Sequence, residues 1–336
     1  MKKQSLKNLF SKNEFMVFCI LIVIWIFLSL INKNYATLNN LCAIMKTMSF
    51  YGIIAVGLSF VIIQGDSDIS TGASAGFSAV FGTALMVETQ CMGMQNTSIE
   101  WLGVLICVLI TMAVGALIGM GNATMVVKFS MPPFIATVAM QFVLNGLKMV
   151  ITGGAYVYPL PASLLKFTKL GIPLGGNKKI AISFIIMLVL LIIAYYILKY
   201  TTYGRSVYAT GGNRVMAQLS GVKTNYVRYR NYMVLHALVA LVGILNAGYL
   251  KQGSPGIGND WHMVIMAACA IGGIKFSGGS GNMIGLLIGL FTLFSINSAI
   301  AYVGINTFLQ DVVIGLVLMI IVVFDSIRSN RKVQAQ

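Results

Sequence analysis

The chain has 336 residues, of which 58% are hydrophobic and only 9% charged, against about a quarter charged in soluble domains. With a mean hydropathy of +0.87, this composition excludes an ordinary soluble protein and makes lipid the solvent for most of the chain. The net charge of +15 reads as the Lys and Arg that collect in cytoplasmic loops. A nucleic-acid surface is not expected, because no basic stretch is interleaved with rings for base stacking.

Ten apolar segments follow in chain order, giving an all-α integral membrane protein with about ten transmembrane helices, some short or broken. A basic N-terminal tail, residues 1–14, precedes the first span at 15–31. That span is longer than a secretory signal core and no A-x-A site follows it, so it reads as uncleaved. The second span is 41–63. A polar knot comes next, Gln64-Gly65-Asp66-Ser67-Asp68-Ile69-Ser70-Thr71-Gly72, and then a short third segment at 73–87. The fourth runs over 101–127. Pro132 and Pro133 open the fifth, which continues to about 151; proline suits a first helical turn, where its missing N–H has no partner to lose. Residues 152–179 form a loop rich in Gly and Pro. The sixth span is 180–198, the seventh 231–250, the eighth 262–274, the ninth 282–300 and the tenth 308–324, followed by a basic C-terminal tail at 327–336. The eighth has only 13 residues, too few for a full crossing.

Between the sixth and seventh spans lies the one long stretch made for water. Residues 199–230 carry Arg205, Arg214, Arg228 and Arg230, four of the six arginines, with Lys199 and Lys223 and no acidic residue. Alternating ten crossings places all six arginines and 15 of the 23 basic residues on one side, and only seven on the other, with Lys46 inside the second span. By the positive-inside rule both termini and residues 199–230 are cytoplasmic. The five cysteines show no CxxC spacing, so neither a zinc site nor a disulfide framework is indicated.

Small residues mark close helix packing: Gly281, Gly285 and Gly289 in the ninth segment, Gly115 and Gly119 in the fourth, Gly72 and Gly76 opening the third. They suit a bundle or a dimer seam alike. Gly65 to Gly72 and Gly272 to Gly279 share Gly, Ser and Gly at positions 1, 6 and 8, an echo of the broken-helix repeats found in transporters.

No GxxxxGK[ST] loop is present, so ATP is not bound by that route. There is no HExxH, no GxSxG and no paired metal ligands, and an enzyme is not expected. His236 and His262 stand near helix starts without an obvious partner, and read as hydrogen-bonded rather than catalytic. Asp66 and Asp68 have no basic neighbour in sequence. Two readings stand for them: a turn capping the third helix, or a lining of the transport path. Gln141 and Asn145 share a helix face, and Asn145, Asn246 and Asn297 are neutral amides inside spans. Such groups glue helices together or bind a hydroxylated solute; as a set they suit an uncharged polar cargo. With Ser70 and Thr137, these residues form the candidate translocation path. Within residues 199–230, Asn213 is a good N-cap and Gly221 suits the left-handed C′ position. Val215, Met216, Ala217 and Leu219 give the short helix between them an apolar side, fit to be pushed by a soluble partner or to lie on lipid.

At these residues the chain resembles the permease subunits of bacterial ABC importers for ribose and other simple sugars, over about residues 39–328. The family's TxxGRxxYAxGGNxxAAxLSGI reads here from Thr202 through Gly204-Arg205, Tyr208-Ala209, Gly211-Gly212-Asn213 and Met216-Ala217 to Leu219-Ser220-Gly221-Val222. Its GGxDLSxG is Gly65 to Gly72, its PPFIxTL run starts at Pro132-Pro133-Phe134-Ile135 and reaches Thr152-Gly153-Gly154, and its GGxxxxGGxG falls at Gly272-Gly273 and Gly278-Gly279-Ser280-Gly281. Two departures stand out: Asp66 replaces a glycine, and Asp260-Trp261-His262-Met263 replace an acidic residue and an aliphatic before the last motif's helix.

The resemblance implies a single permease domain at 15–326 in the bacterial cytoplasmic membrane, with 199–230 as its cytoplasmic coupling loop. ATPase coupling would fall to Gly204, Arg205, Gly211, Gly212, Asn213, Arg214, Met216, Ala217, Leu219 and Gly221. Implied partners are a second permease subunit (identical or similar), two cytoplasmic ATPase subunits and an extracytoplasmic solute-binding protein. The chain itself holds no cofactor, ATP and Mg being bound by the ATPase. The implied cargo is a monosaccharide. Relatives carrying nucleosides, autoinducer-2 or amino acids, and a self-contained ion-coupled transporter using Asp66 and Asp68, are the alternatives.

Overall fold

The computed structural model describes residues 12–32, 34–93, 99–175 and 178–303, with single positions between 312 and 319. Residues 1–11 and the C-terminal tail lie outside the described residues, as does the expected tenth span apart from those positions; residues 12–14, expected in the N-terminal tail, are instead the start of the first helix. Six helices there are long and apolar enough to cross a membrane: α2 (Leu38–Ile63), α5 (Glu100–Val127), α6 (Pro133–Thr152), α8 (Ile182–Tyr200), α11 (Thr224–Leu250) and α13 (Met283–Val303), the last as Met283–Tyr302. The apolar part of α1 (Lys12–Ile31), Val17–Ile31, and α12 (Trp261–Ile271) are shorter, and α3 (Thr71–Glu88) spans 18 residues. At 1.5 Å per residue α3 is about 27 Å long, a little under the bilayer core. A single turn, α4 (Gln90–Gly93), follows it.

Local chemistry sets these boundaries. Thr37 Oγ1 accepts from Asn40 N at the start of α2. α2 ends with Gly65 at φ +87, Gly65 N donating to Ile62 O and Asp66 N to Val61 O. That is the paired-bond Schellman stop, which needs a left-handed residue at C′. Pro133 opens α6 as expected, and Gly153, left-handed at φ +59, closes it.

α2, α13 and α11 are the most buried of the six, and α11 packs on its neighbours through glycine. A Cβ on Gly119 would lie 2.2 Å from the Tyr232 carbonyl oxygen, and one on Gly115 2.5 Å from that of His236, so α5 approaches α11 backbone to backbone. Gly289 meets the Ala268 carbonyl in the same way, joining α13 to α12, while Gly72 and Gly76 meet the carbonyls of Gly258 and Ile257. Bundle or seam was open from the sequence; these glycines are engaged inside the chain.

Four expectations need correcting. Residues 152–179 are not plain loop: α7 (Ala162–Lys169) and a hairpin of β1 (Gly171–Gly175) and β2 (Lys178–Ala181) form there, paired Gly171↔Ala181 through Pro173↔Lys179 with a bulge before Gly175. Residues 199–230 are also mostly helical, with α9 (Thr202–Gly212) and α10 (Arg214–Leu219). α11 begins at Thr224 rather than 231 and takes in Arg228 and Arg230. Lastly, Lys148, one of the seven basic residues counted on the side opposite the arginines, is buried in α6, where its Nζ donates to Asn259 Oδ1 at 3.2 Å.

Leu164 and Thr168 of α7 pack at Gly248, near the end of α11. The segment 199–223 joins its start, about 36 Å away along the helix axis. These two elements therefore lie at opposite ends of α11.

Candidate coupling and translocation site

Residues 199–230 build a rigid platform. Thr201 caps α9, its Oγ1 accepting from Gly204 N at 3.1 Å. Gly204 is buried because α9 folds back on the end of α8: a Cβ there would lie 2.4 Å from the Ile197 carbonyl oxygen. Tyr203 Oη donates to Asn231 Oδ1 at 2.6 Å and Tyr208 Oη to the Gly281 carbonyl at 2.7 Å, fixing α9 to α11 and to the start of α13. Burial pushes the Tyr203 hydroxyl well up, against a smaller opposing pull from Arg230, whose guanidinium sits 4.6 Å from the ring centroid.

α10 is built as its sequence predicts. Asn213 Oδ1 accepts from Met216 N at 3.0 Å, the N-cap bond. Gly221 sits at φ +84; its N–H donates to Gln218 O, and Val222 N to Ala217 O, a second Schellman stop. Ala217 faces inward, while Val215, Met216 and Leu219 stand 65%, 57% and 78% exposed. Arg205, Gly212 and Asn213 are exposed on the same platform.

Gly211 is the meeting point. Gly279 N donates to Ile63 O at 2.8 Å, joining the turn after α12 to the end of α2. The backbone of Gly211 lies against both, so that a Cβ would stand 1.8 Å from Ile63 O and 2.6 Å from Gly279 N. Gly65 and Gly278 close the same junction. The two glycine motifs that echo one another in sequence are therefore brought together around Gly211.

The turn 64–70 carries two buried carboxylates, and both have basic partners that the sequence concealed. Asp66 is held by Arg228, with Nε donating to Oδ2 at 2.7 Å and Nη2 to Oδ1 at 2.8 Å, a two-point clamp on a fully buried side chain. Arg214 Nη2 adds a single bond to Oδ1 at 3.1 Å. Gln64 Nε2 donates to Oδ2, and Gln64 Oε1 accepts from Asn231 Nδ2 at 2.7 Å. Asp68 accepts on Oδ1 from Ser70 N and Oγ, and on Oδ2 from Asn122 Nδ2 at 3.0 Å and His236 Nε2 at 2.9 Å. His236 Nε2 also lies 3.1 Å from Asn122 Nδ2, and Nδ1 meets Ser74 Oγ at 2.9 Å.

The cap reading of Asp66 and Asp68 is corrected in detail. Ser70, not an aspartate, takes the N-cap position of α3, without a side-chain cap bond. Thr137 joins the turn by accepting from Ile69 N at 3.2 Å. Gln141 lies one helical turn beyond it on α6, its Oε1 buried and without a partner. Asn145 on α6, Asn246 on α11 and Asn297 on α13 take no part in this cluster's hydrogen bonds; Asn297 Oδ1 is likewise unpartnered. His262, read as simply hydrogen-bonded, is buried beside Gly72, and exposed Asp260, left-handed at φ +58, starts α12.

Arg228, His236 and Asn122 were missed as members of the site, though a signal existed. Arg228 and His236 fall on the same face of α11 as the buried Tyr232 and Leu235. Asn122 lies one turn past Gly119 on the packed face of α5. A cation or amide on a face that must be buried requires a partner, and the unmatched aspartates were the available ones.

Residues 40–322 match the family model described as branched-chain amino acid transport system / permease component. The ribose import permease protein RbsC of Escherichia coli (strain K12) is 31% identical over 309 residues, 91% of each chain. RbsC of Bacillus subtilis (strain 168) is 30% identical over 312 residues, 92% of this chain and 91% of that one. The galactose/methyl galactoside import permease protein MglC of Escherichia coli (strain K12) is 26% identical over 336 residues, 98% of each. No solved structure gave a significant match. An apolar helical bundle with a rigid, capped platform at one end, matched along most of its length by transporter permeases, is a multi-pass membrane protein, and the chain belongs to the branched-chain amino acid transport system / permease component family.

Proposed function

We propose that this chain is the translocating subunit of an ATP-binding-cassette importer for a small polar solute, a monosaccharide or similar sugar. Two permease subunits enclose the path, two ATPase subunits that bind ATP and Mg dock beneath, and a solute-binding protein delivers cargo from outside. The bundle has about ten crossings with both termini in the cytoplasm, so that α9 and α10 face the ATPase. Relatives named for ribose and galactose support the sugar class. One observation carries the reading. α10 is capped at both ends, presents Val215, Met216 and Leu219 outward, and is tied through Arg214 to the turn that ends α2. A rigid exposed element bonded to the membrane core is what a separate motor needs in order to push.

Arg205 and the exposed side chains of α10 then form the docking surface, with Gly204, Gly211 and Gly221 shaping the backbone beneath it. Asp66, Asp68, Ser70, Thr137, Gln141, Asn145, Asn246 and Asn297 belong to the path or to the packing that moves it. Self-contained ion coupling through Asp66 is disfavoured by its ion pairs with Arg228 and Arg214. The test is to replace Val215 and Leu219 by glutamate. ATP-driven uptake is expected to fall at least about tenfold, the equivalent of ~1.4 kcal/mol of docking, while membrane insertion stays at wild-type level. Undiminished uptake contradicts the assignment of α10.

A further inference from the structure

The ion pairs on Asp66 are unequal in a way that suggests movement. Arg228 holds both carboxylate oxygens with a side chain only 6% exposed. Arg214 touches one oxygen, from a side chain 38% exposed, and its Nε is buried without a partner. With Arg228 in place, Asp66 keeps a full counter-charge when Arg214 leaves. The carboxylate is then never stranded, which is the event that makes breaking a buried pair costly. Arg214 is also the first residue of α10, so any displacement of that helix acts on it directly.

Asp66 in turn is joined to everything around the turn. Its backbone N–H closes α2, and two residues on, Asp68 binds Asn122 of α5 and His236 of α11. Ile69 N reaches Thr137 of α6, and Ser70 starts α3. One carboxylate thus connects α10 to a turn that touches five helices.

We propose that Arg214 and Asp66 form a releasable clasp that transmits displacement of α10 to the turn 64–70. Arg228 is its fixed half and Arg214 a positioning residue for transport. The proposal rests on α10 being the docking element for the ATPase. Breaking and remaking of the Arg214 contact accompanies each cycle, while the Arg228 clamp stays closed.

The test uses the assembled transporter in proteoliposomes and reads the ratio of solute imported to ATP hydrolysed. Arg214→Ala is expected to lower that ratio at least about fivefold, the low end of common site-to-site couplings, with normal assembly and thermal stability. Arg214→Lys, which can make the same single contact, is expected to restore most of it. In an Asp66→Asn background, Arg214→Ala is expected to add less than about twofold, since coupled residues are not additive. A wild-type ratio in Arg214→Ala overturns the clasp, as does a lysine variant no better than alanine, or full additivity with Asp66→Asn. If the unmutated complex imports nothing on ATP, the docking reading falls, and the clasp with it. A normal wild type with an unaffected Arg214→Ala sinks the clasp alone.

Discussion

Replacing Arg228 by methionine is expected to cost about 3–5 kcal/mol of stability, the usual penalty for stranding one member of a buried pair. Asp66 sits with a fully buried carboxylate and depends on the two-point clamp from Arg228 for most of its compensation. Arg214, with one bond at 3.1 Å, cannot replace it. The purified variant is expected to unfold at lower temperature in detergent and to be recovered in low yield. The double variant Asp66→Gly with Arg228→Met removes both charges and is expected to recover most of the loss, because an apolar replacement of a buried pair is often neutral. If the double variant is no more stable than Arg228→Met alone, the clamp is not what holds the turn.

A comparably large effect is expected at Gly211, with its neighbour as control. Alanine at 211 drives a methyl group to 1.8 Å from Ile63 O and 2.6 Å from Gly279 N, both backbone atoms that cannot step aside. It also breaks the bond between them. Overpacking of about 1–3 kcal/mol is expected, with about 1 kcal/mol more for the lost hydrogen bond. Because the junction seats α9 and α10, ATP-driven uptake should fall more steeply than stability does. Alanine at Gly212 meets nothing within 4 Å and should keep the thermal unfolding of the wild type. Initial uptake rates and thermal unfolding of the two variants give the comparison; equal behaviour contradicts the junction.

The apolar helices were legible because a bilayer demands long apolar runs: nine expected segments have helices at their positions, and six of these helices are long and apolar enough to cross a membrane. Boundaries failed where polarity and helicity part company. Thr224 to Arg230 looks like loop by charge, yet it continues α11, because Arg228 finds a buried carboxylate and Arg230 a tyrosine ring. α7 and the hairpin were hidden by glycines and prolines that serve there as caps and turns. The α10 helix was fully readable, since caps at Asn213 and Gly221 are local chemistry. The partners of Asp66 and Asp68 on other helices were not, as they lie more than 50 residues away in sequence: Arg228 is 162 positions from Asp66 and Asn122 is 54 from Asp68. Only the fold chooses which buried cation meets which buried anion.

The central claim is that the chain moves a sugar only when a separate ATPase drives it. The direct measurement is uptake of labelled monosaccharides into proteoliposomes containing this chain, its ATPase and its binding protein. The account predicts ATP-dependent accumulation of one such sugar, unaffected by a protonophore and abolished when the ATPase subunit is left out. Accumulation that persists without any ATPase, or that follows an imposed proton gradient instead of ATP, contradicts it.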